Sequence, residues 1–504
     1  MTPPPGNISR RSILQLGAVG AGALITRLDH RFAVPQRVEQ GRPSTLPDIQ
    51  FDVGDFLAPV RSIDGVDFHF GPTYTQFFPA RLRRAPTGDD QQALAEALDT
   101  IETAYPFAPD GVFTFVSYGV PYFRSLPDGL VDEHMPRLSE EPERFAFQEA
   151  QTSPTDVSAL NPSVQKRRWH VPVEIEGNDL LFTIRSDELR ITRDVIAWMN
   201  GSDRLAGRRV QSPPLAGVLD FDQARLMFVQ PGMPRQLADA ANLAYAGRIH
   251  PDSPMWMGLA DQQVAGTGPA AIATFQGNSS ASLTPTRRDD YFFNGAVQHL
   301  SHVILDLDQF YLAAGEVAAE EEDEEEPEDQ EEEVEDDDQS YLERVQYMFR
   351  STPPPHRGYE DQRTDGGGPA YLPNEFQGAD DAERGARGEG TPNGEHRLGH
   401  VAALQRTSRA SDGTAMHVRV DGPGYDAMDV PDRSPQPKLQ FSIFVPTAKF
   451  FADMRRSQAS TDLAERHQVP DDDNGLERFT TATRRQNFLV PPRRHRSFPL
   501  LELR

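Results

Sequence analysis

The sequence predicts an α+β fold built from two ferredoxin-like halves with antiparallel sheets. Strand and helix signals alternate from residue 61 as strand, helix, strand, then strand and helix, the order of a split βαβ unit. A similar order returns after residue 250. The length agrees: 504 residues, 37% apolar and 25% charged, suffice for one or two sizeable cores plus long loops.

In the first half, residues 61–250, "VDFHFGP" and "QFFPARLRR" give short β-type runs. "DDQQALAEALDTIETAY" sets Leu94, Leu98 and Ile101 at helical spacing behind Asp89 or Asp90 as N-cap, which predicts a helix over 89–104. "GVFTFVSYGVPYF" reads as a strand through Val112, Phe113, Phe115 and Val116, and Leu180 to Ile184 as a strand running into the helix of "DELRITRDVIAWMNG". In the second half, residues 251–504, "AVQHLSHVILDLDQFY" supplies a strand, "YLERVQYMFR" a short helix and "AMHVRVDGPG" a strand. "KLQFSIFVPTAKFFADMRRSQAS" is a strand leading into a helix. The basic "TRRQNFLVPPRRHRSF" is expected to pack Phe488, Leu489 and Val490 and leave its arginines at the surface.

Three segments stand apart. In residues 1–30, Arg10 and Arg11 precede an apolar run of thirteen residues, Ile13 to Ile25. That is short of the roughly 20 residues a membrane span needs and resembles a twin-arginine export signal. The resemblance implies passage of the folded chain through the twin-arginine machinery to the periplasm or beyond, released or tethered by an uncleaved signal. Residues 31–60 are Pro-rich and read as a linker. Residues 316–394 interrupt the second half, and Glu320 to Asp338 hold sixteen acidic residues in nineteen positions. Like charges repel and bury nothing, so a solvated, disordered insertion is expected, with a cation- or partner-binding tail as the functional alternative.

That run accounts for most of the net charge of −27 and leaves −11 for all other residues. Such a balance suits solubility and excludes a nucleic-acid surface, which needs a basic stripe. The absence of cysteine excludes disulfides, zinc-thiolate sites, iron–sulfur clusters, thiolate-ligated haem and covalent haem attachment. Metal chemistry is left to His, Asp, Glu, Tyr or Met.

No G-x-S-x-G or phosphate-binding G-x-x-x-x-G-K-[ST] motif is present. "PDDDNGLE" fails as a calcium loop, because Pro470 falls on the first ligand position and no Glu lies six residues after Gly475. In "NGEHRLGHVAALQ", His396 and His400 have the spacing of a zinc pair, but Arg397 stands where H-E-x-x-H requires Glu. His400 is therefore singled out without its neighbour.

"GVFTFVSYGVPYF", "GNDLLFTIRSDE", "MGLADQQ", "LGHVAALQRTSR" and "MHVRVDGPGYD" resemble, in order, the signature blocks of dye-decolourising (DyP-type) haem peroxidases. The resemblance spans about residues 60–460 outside the insertion. It implies two ferredoxin-like halves in a dimeric α+β barrel-like arrangement, with non-covalent haem b in the C-terminal half. It makes His400 the proximal iron ligand, Asp261 of the G-x-x-D pattern begun by Gly258 the distal acid–base, and Arg419 the distal arginine that also contacts haem. A neutral imidazole suits an iron site in a chain without thiols. Peroxide needs a group to take and return its proton, and a fixed guanidinium stabilises charge as the O–O bond breaks. His417 would share the strand face of Arg419. Two positions depart from the pattern: Gln262 stands where the family has Gly, and Asp421 where several members carry Asn or Gly.

The function expected is that of an exported peroxidase reducing hydrogen peroxide with an organic donor. Its expected partners are those two molecules, the export machinery and a second copy in a homo-oligomer. A non-catalytic exported haem- or iron-handling protein is the alternative, and an interaction protein with an empty pocket a third.

Overall fold

The computed structural model describes residues 46–57, 71–257, 267–277, 283–312, 379–391 and 394–504, with Ile25 and strand backbones at 61–63, 66–68, 260–263 and 371–374. In the first half, β1 (Tyr74–Leu82), α1 (Gly88–Ala104), β2 (Phe113–Gly119), β3 (Leu180–Ser186), α2 (Leu189–Met199) and β4 (Arg225–Phe228) follow in sequence. Their strands lie in the order β4-β1-β3-β2, every pair antiparallel. The second half comprises β5 (Ala296–Leu305), α3 (His400–Gln405), β6 (Val418–Arg419), β7 (Gly422–Asp426), β8 (Gln436–Val445), α4 (Ala448–Ala459) and β9 (Thr480–Val490). Its sheet runs β9-β5-β8, with β6 and β7 both on the far edge of β8. Each half thus has its fourth strand beside the first, then the third, then the second. This is the ferredoxin-like order, and the fold class is the predicted one.

The two sheets join at both edges. β9 pairs with β2 through Phe488 opposite Gly119 and Leu489 opposite Tyr118. On the other edge β7 lies so close to β4 that a Cβ on Gly424 would stand 3.1 Å from the Leu226 carbonyl oxygen. The glycines of "VDGPGYD" permit that approach. The resulting barrel encloses Phe77, Phe113, Phe115, Leu181, Leu300, Phe444 and Phe488. A polar bridge crosses it: Ser117 donates to Gln298, whose amide donates to Thr183 at 3.2 Å and Ser442 at 3.0 Å. The Ser117 hydroxyl and both hydrogens of the Gln298 amide have acceptors, which is what makes polar groups tolerable in such a core.

Helices cover the outside. Leu94, Leu98 and Ile101 of α1 are fully buried against the sheet. The helix starts with a capping box in which Thr87 is the cap and Asp90 returns the hydrogen bond, so Asp90 sits one turn inside and neither Asp89 nor Asp90 is the N-cap.

The structure departs from the reading in four further places. Residues 46–57, expected as linker, belong to the body: Gln50 is buried and donates to the carbonyls of Val116 and Pro491. The helix Ala379–Ala386, inside the expected insertion, packs Ala382 and Ala386 on Leu398, Ala402, Leu463 and Val469, so folded chain resumes before residue 394. "AMHVRVDGPG" forms two short strands rather than one. β9, expected as a packing tail, is the strand that joins the halves; Phe488, Leu489 and Val490 are buried as expected, but Arg485 is buried too. The short helix expected at "YLERVQYMFR" and the acidic run lie outside the described residues, as does the export segment except for Ile25, which is helical and buried.

Candidate functional site

On the outer face of the second sheet, beneath α3 and α4, lies a cavity with about 160 Å³ of interior space, open to solvent at its mouth. Its apolar lining includes Trp256, Met257, Val303, Leu305, Leu439 and Phe441. Val303 and Leu305 of β5 and Leu439 and Phe441 of β8 fall on one face by strand alternation. Trp256 is fixed to the edge strand by its indole N–H, which donates to the Gly424 carbonyl at 2.9 Å, and by Tyr311, whose hydroxyl donates to the Trp256 carbonyl at 2.8 Å.

Both described residues of the expected haem site reach this cavity. His400 is the first residue of α3, after Gly399 as N-cap. The loop once considered for calcium holds it: the Leu398 N–H donates to Asp473, and the Gly475 N–H returns to the Leu398 carbonyl at 2.8 Å. Gly475 has φ +54°, the left-handed region that favours glycine, and lies against the His400 backbone. Arg419 lines the same cavity, flanked by His417 and Asp421, while Val418 and Val420 turn into the barrel core. One strand face thus presents His417, Arg419 and Asp421 together. Asp261 lies on the strand Ala260–Gln263, opposite Leu372 of the parallel strand Tyr371–Asn374, and its side chain lies outside the described residues, as does Gly258. His396 is exposed, its Nδ1 against the His467 carbonyl, and is no part of the cavity.

The sequence reading missed the charged end of this cavity. Asp156 and Arg485, 3% and 4% exposed, form a two-bond pair at 2.7 Å each, and Arg485 also donates to Ser301 at 2.9 Å. Beside it Glu477 accepts from Arg455 at 3.3 Å, from Gln458 at 3.1 Å and from Thr155, and Lys166 donates to its backbone carbonyl. Burial pushes the Glu477 carboxyl up, but Arg455, Lys166 and Thr155 outweigh it and bring it down to about 2. A carboxylate depressed from an ordinary 4.5 stabilises the fold above that value and loses its contribution as pH falls towards about 2. Glu477→Gln is therefore expected to cost up to about 3 kcal/mol near neutrality and little at pH 2, to be checked by urea unfolding at both ends of that window. An equal cost at both pH values would show that charge is not the cause.

These groups fit a haem. The walls suit a flat apolar macrocycle, two imidazoles, His400 and His417, line the cavity as axial-ligand candidates, of which the sequence pattern selects His400, and Arg455 and Arg485 stand at one end where its carboxylates would lie. Arg455 Nε is buried without a hydrogen-bond partner among the described residues, an atom that a bound carboxylate would satisfy. Among the described residues no His/Asp/Glu cluster could hold a bare metal ion.

A family model described as a family of unknown function, DUF7405, matches residues 142–337. No curated protein matches the chain. Among solved structures, it is similar to a DyP-type peroxidase from Streptomyces coelicolor, 14% identical over 84% of this chain and 90% of that one, with a TM-score of 0.45. An encapsulated DyP-type peroxidase from Mycobacterium smegmatis is 12% identical over 88% and 100%, with a TM-score of 0.43. A variant of DypB from Rhodococcus jostii in complex with haem is 11% identical over 85% and 96%, also at 0.43. The fold assignment rests on strand order and register, which define a two-half ferredoxin-like barrel with an imidazole-bearing cavity on its second half.

Proposed function

We propose that this protein is an exported haem peroxidase of the dye-decolourising type, which reduces hydrogen peroxide at the expense of an organic donor. The observation that carries the proposal is that His400 and Arg419, selected from sequence blocks, line one cavity with apolar walls, at one end of which Arg455 and Arg485 stand beside Glu477 and Asp156. Haem b, when bound, supplies the iron that exchanges electrons with peroxide and donor. His400 would hold it by a ring nitrogen, and Arg455 and Arg485 would face its carboxylates. Arg419 binds and orients peroxide and stabilises negative charge on the departing oxygen, at a site whose apolar walls restrict water. The role of Asp261 rests on the sequence resemblance alone, and export rests on Arg10, Arg11 and the apolar run after them. The rival reading, a non-catalytic haem- or iron-handling protein, is favoured by Gln262 in place of the family glycine.

Titration of the purified chain with hemin should give a saturable Soret band near one equivalent, and the loaded protein should oxidise an organic dye with peroxide. Arg419→Leu should keep hemin and lose about 100-fold or more of turnover, the scale of removing one charge-stabilising donor. Hemin binding without turnover in the unaltered protein would select the carrier, and no saturable band would dispose of both readings.

A further inference from the structure

We propose that Asp421 is a catalytic residue of this cavity, the carboxylate that takes the peroxide proton and returns it. The inference rests on the haem-peroxidase reading and deepens it. Three carboxylate residues, Asp156, Glu477 and Asp421, are found in the described lining. Asp156 makes two bonds to Arg485, and Glu477 receives Arg455 and is held at about 2. A carboxylate so depressed is a weak base, and moving a proton on to either would break a buried ion pair. Those two hold cations in place.

Asp421 is placed differently. It follows Arg419 by two residues in the extended link between β6 and β7, about 7 Å along the chain, where the Val420 N–H donates to the Ser442 carbonyl at 2.8 Å and the Val420 side chain turns into the barrel. Both side chains are half-buried, so a small ligand in the cavity can reach them. Edge strand β7 anchors the pair, its Gly422 opposite Gln440 and its Pro423 opposite Leu439 of β8. A charge-stabilising guanidinium and a proton-accepting carboxylate therefore come from one rigid segment, in a cavity that also contains the imidazole. Such fixed placement is what acid–base catalysis needs.

The chemistry balances as follows. Asp421 takes a proton from one peroxide oxygen, and the same proton goes to the other oxygen as the O–O bond breaks and that oxygen departs as water. The remaining oxygen is reduced to a second water by two electrons from the organic donor, with two protons from donor or solvent. Asp421 ends in the state in which it began.

Hydrogen cyanide tests this without turnover, because it too must give up its proton to bind the iron, and binding is read from the Soret shift. Hemin-loaded Asp421→Asn should bind cyanide at least 10-fold more slowly than the unaltered protein, with its unfolding midpoint unchanged. Asp421→Glu, which keeps a carboxylate, should recover part of the rate. An unchanged rate in Asp421→Asn, or slowing confined to Asp261→Asn, would overturn the proposal while leaving the haem reading intact. A slowed Asp421→Asn that Asp421→Glu does not restore at all would also count against it. Failure of the unaltered protein to bind hemin would remove both.

Discussion

His400→Ala is expected to abolish axial ligation, seen as loss or displacement of the hemin Soret band and a fall in peroxide turnover beyond the ~10–100-fold typical of losing a partner that merely orients a metal ligand. The size of the effect follows from the composition of the cavity. Its walls are largely apolar, and no cysteine exists to substitute as ligand. Hemin can still partition into such a cavity through buried apolar area, so a weakened, shifted band is consistent with the assignment, whereas an unaltered one is not. Free imidazole should restore the original band, because truncation opens space where the ring stood. His396→Ala is the matched control: its side chain is exposed and turned to the His467 carbonyl, so neither spectrum nor turnover should change. Equal loss in both variants would show that the segment is being unfolded rather than a ligand removed.

The sequence made legible whatever follows from local pattern. β1, β2, β3, β5 and β8 and helices α1, α2 and α4 correspond to runs whose apolar spacing shows in the chain itself. Strand alternation also put His417 on the face of Arg419, as found. What escaped depends on distant partners. β9 was hidden because adjacent Arg484 and Arg485 read as surface charge, yet Arg484 is held by Asp429 and Arg485 by Asp156, more than fifty and three hundred residues away in sequence. Glu477 was hidden for the same reason, its cations coming from α4 and from the loop bearing Lys166. The linker reading of residues 46–57 failed because proline-rich composition says nothing of Gln50, whose single side chain is fixed by two remote carbonyls. The i, i+4 histidine pair misled in the opposite direction. Spacing on one helix face mattered less than where the helix begins, and it begins at His400.

Asp156→Ala is expected to destabilise the protein by about 3–5 kcal/mol, the usual cost of stranding one member of a buried ion pair. Arg485 would keep its hydrogen bond to Ser301 but face no carboxylate from Asp156. The neighbouring His299 offers no compensation: burial, and then Arg485 itself, push its pKa well below the usual histidine value, and its ring nitrogens are engaged by Asn487 and Ser301. Replacing both members, as in Asp156→Ala with Arg485→Met, removes the stranded charge and should recover most of the loss, because a well-packed apolar pair is often as stable as the ions it replaces. Urea unfolding of the four proteins of this cycle gives the coupling directly, provided the slopes agree. A single substitution costing less than about 1 kcal/mol, or a double variant no better than the single ones, would mean that water reaches Arg485 through the cavity and that the pair is not a dry contact. The same double variant should bind hemin more weakly, since it removes one of the cations at the end of the cavity where carboxylates are expected. Stability and ligand affinity then move in opposite directions, which separates what this arginine does for the cavity from what its partner does for the fold.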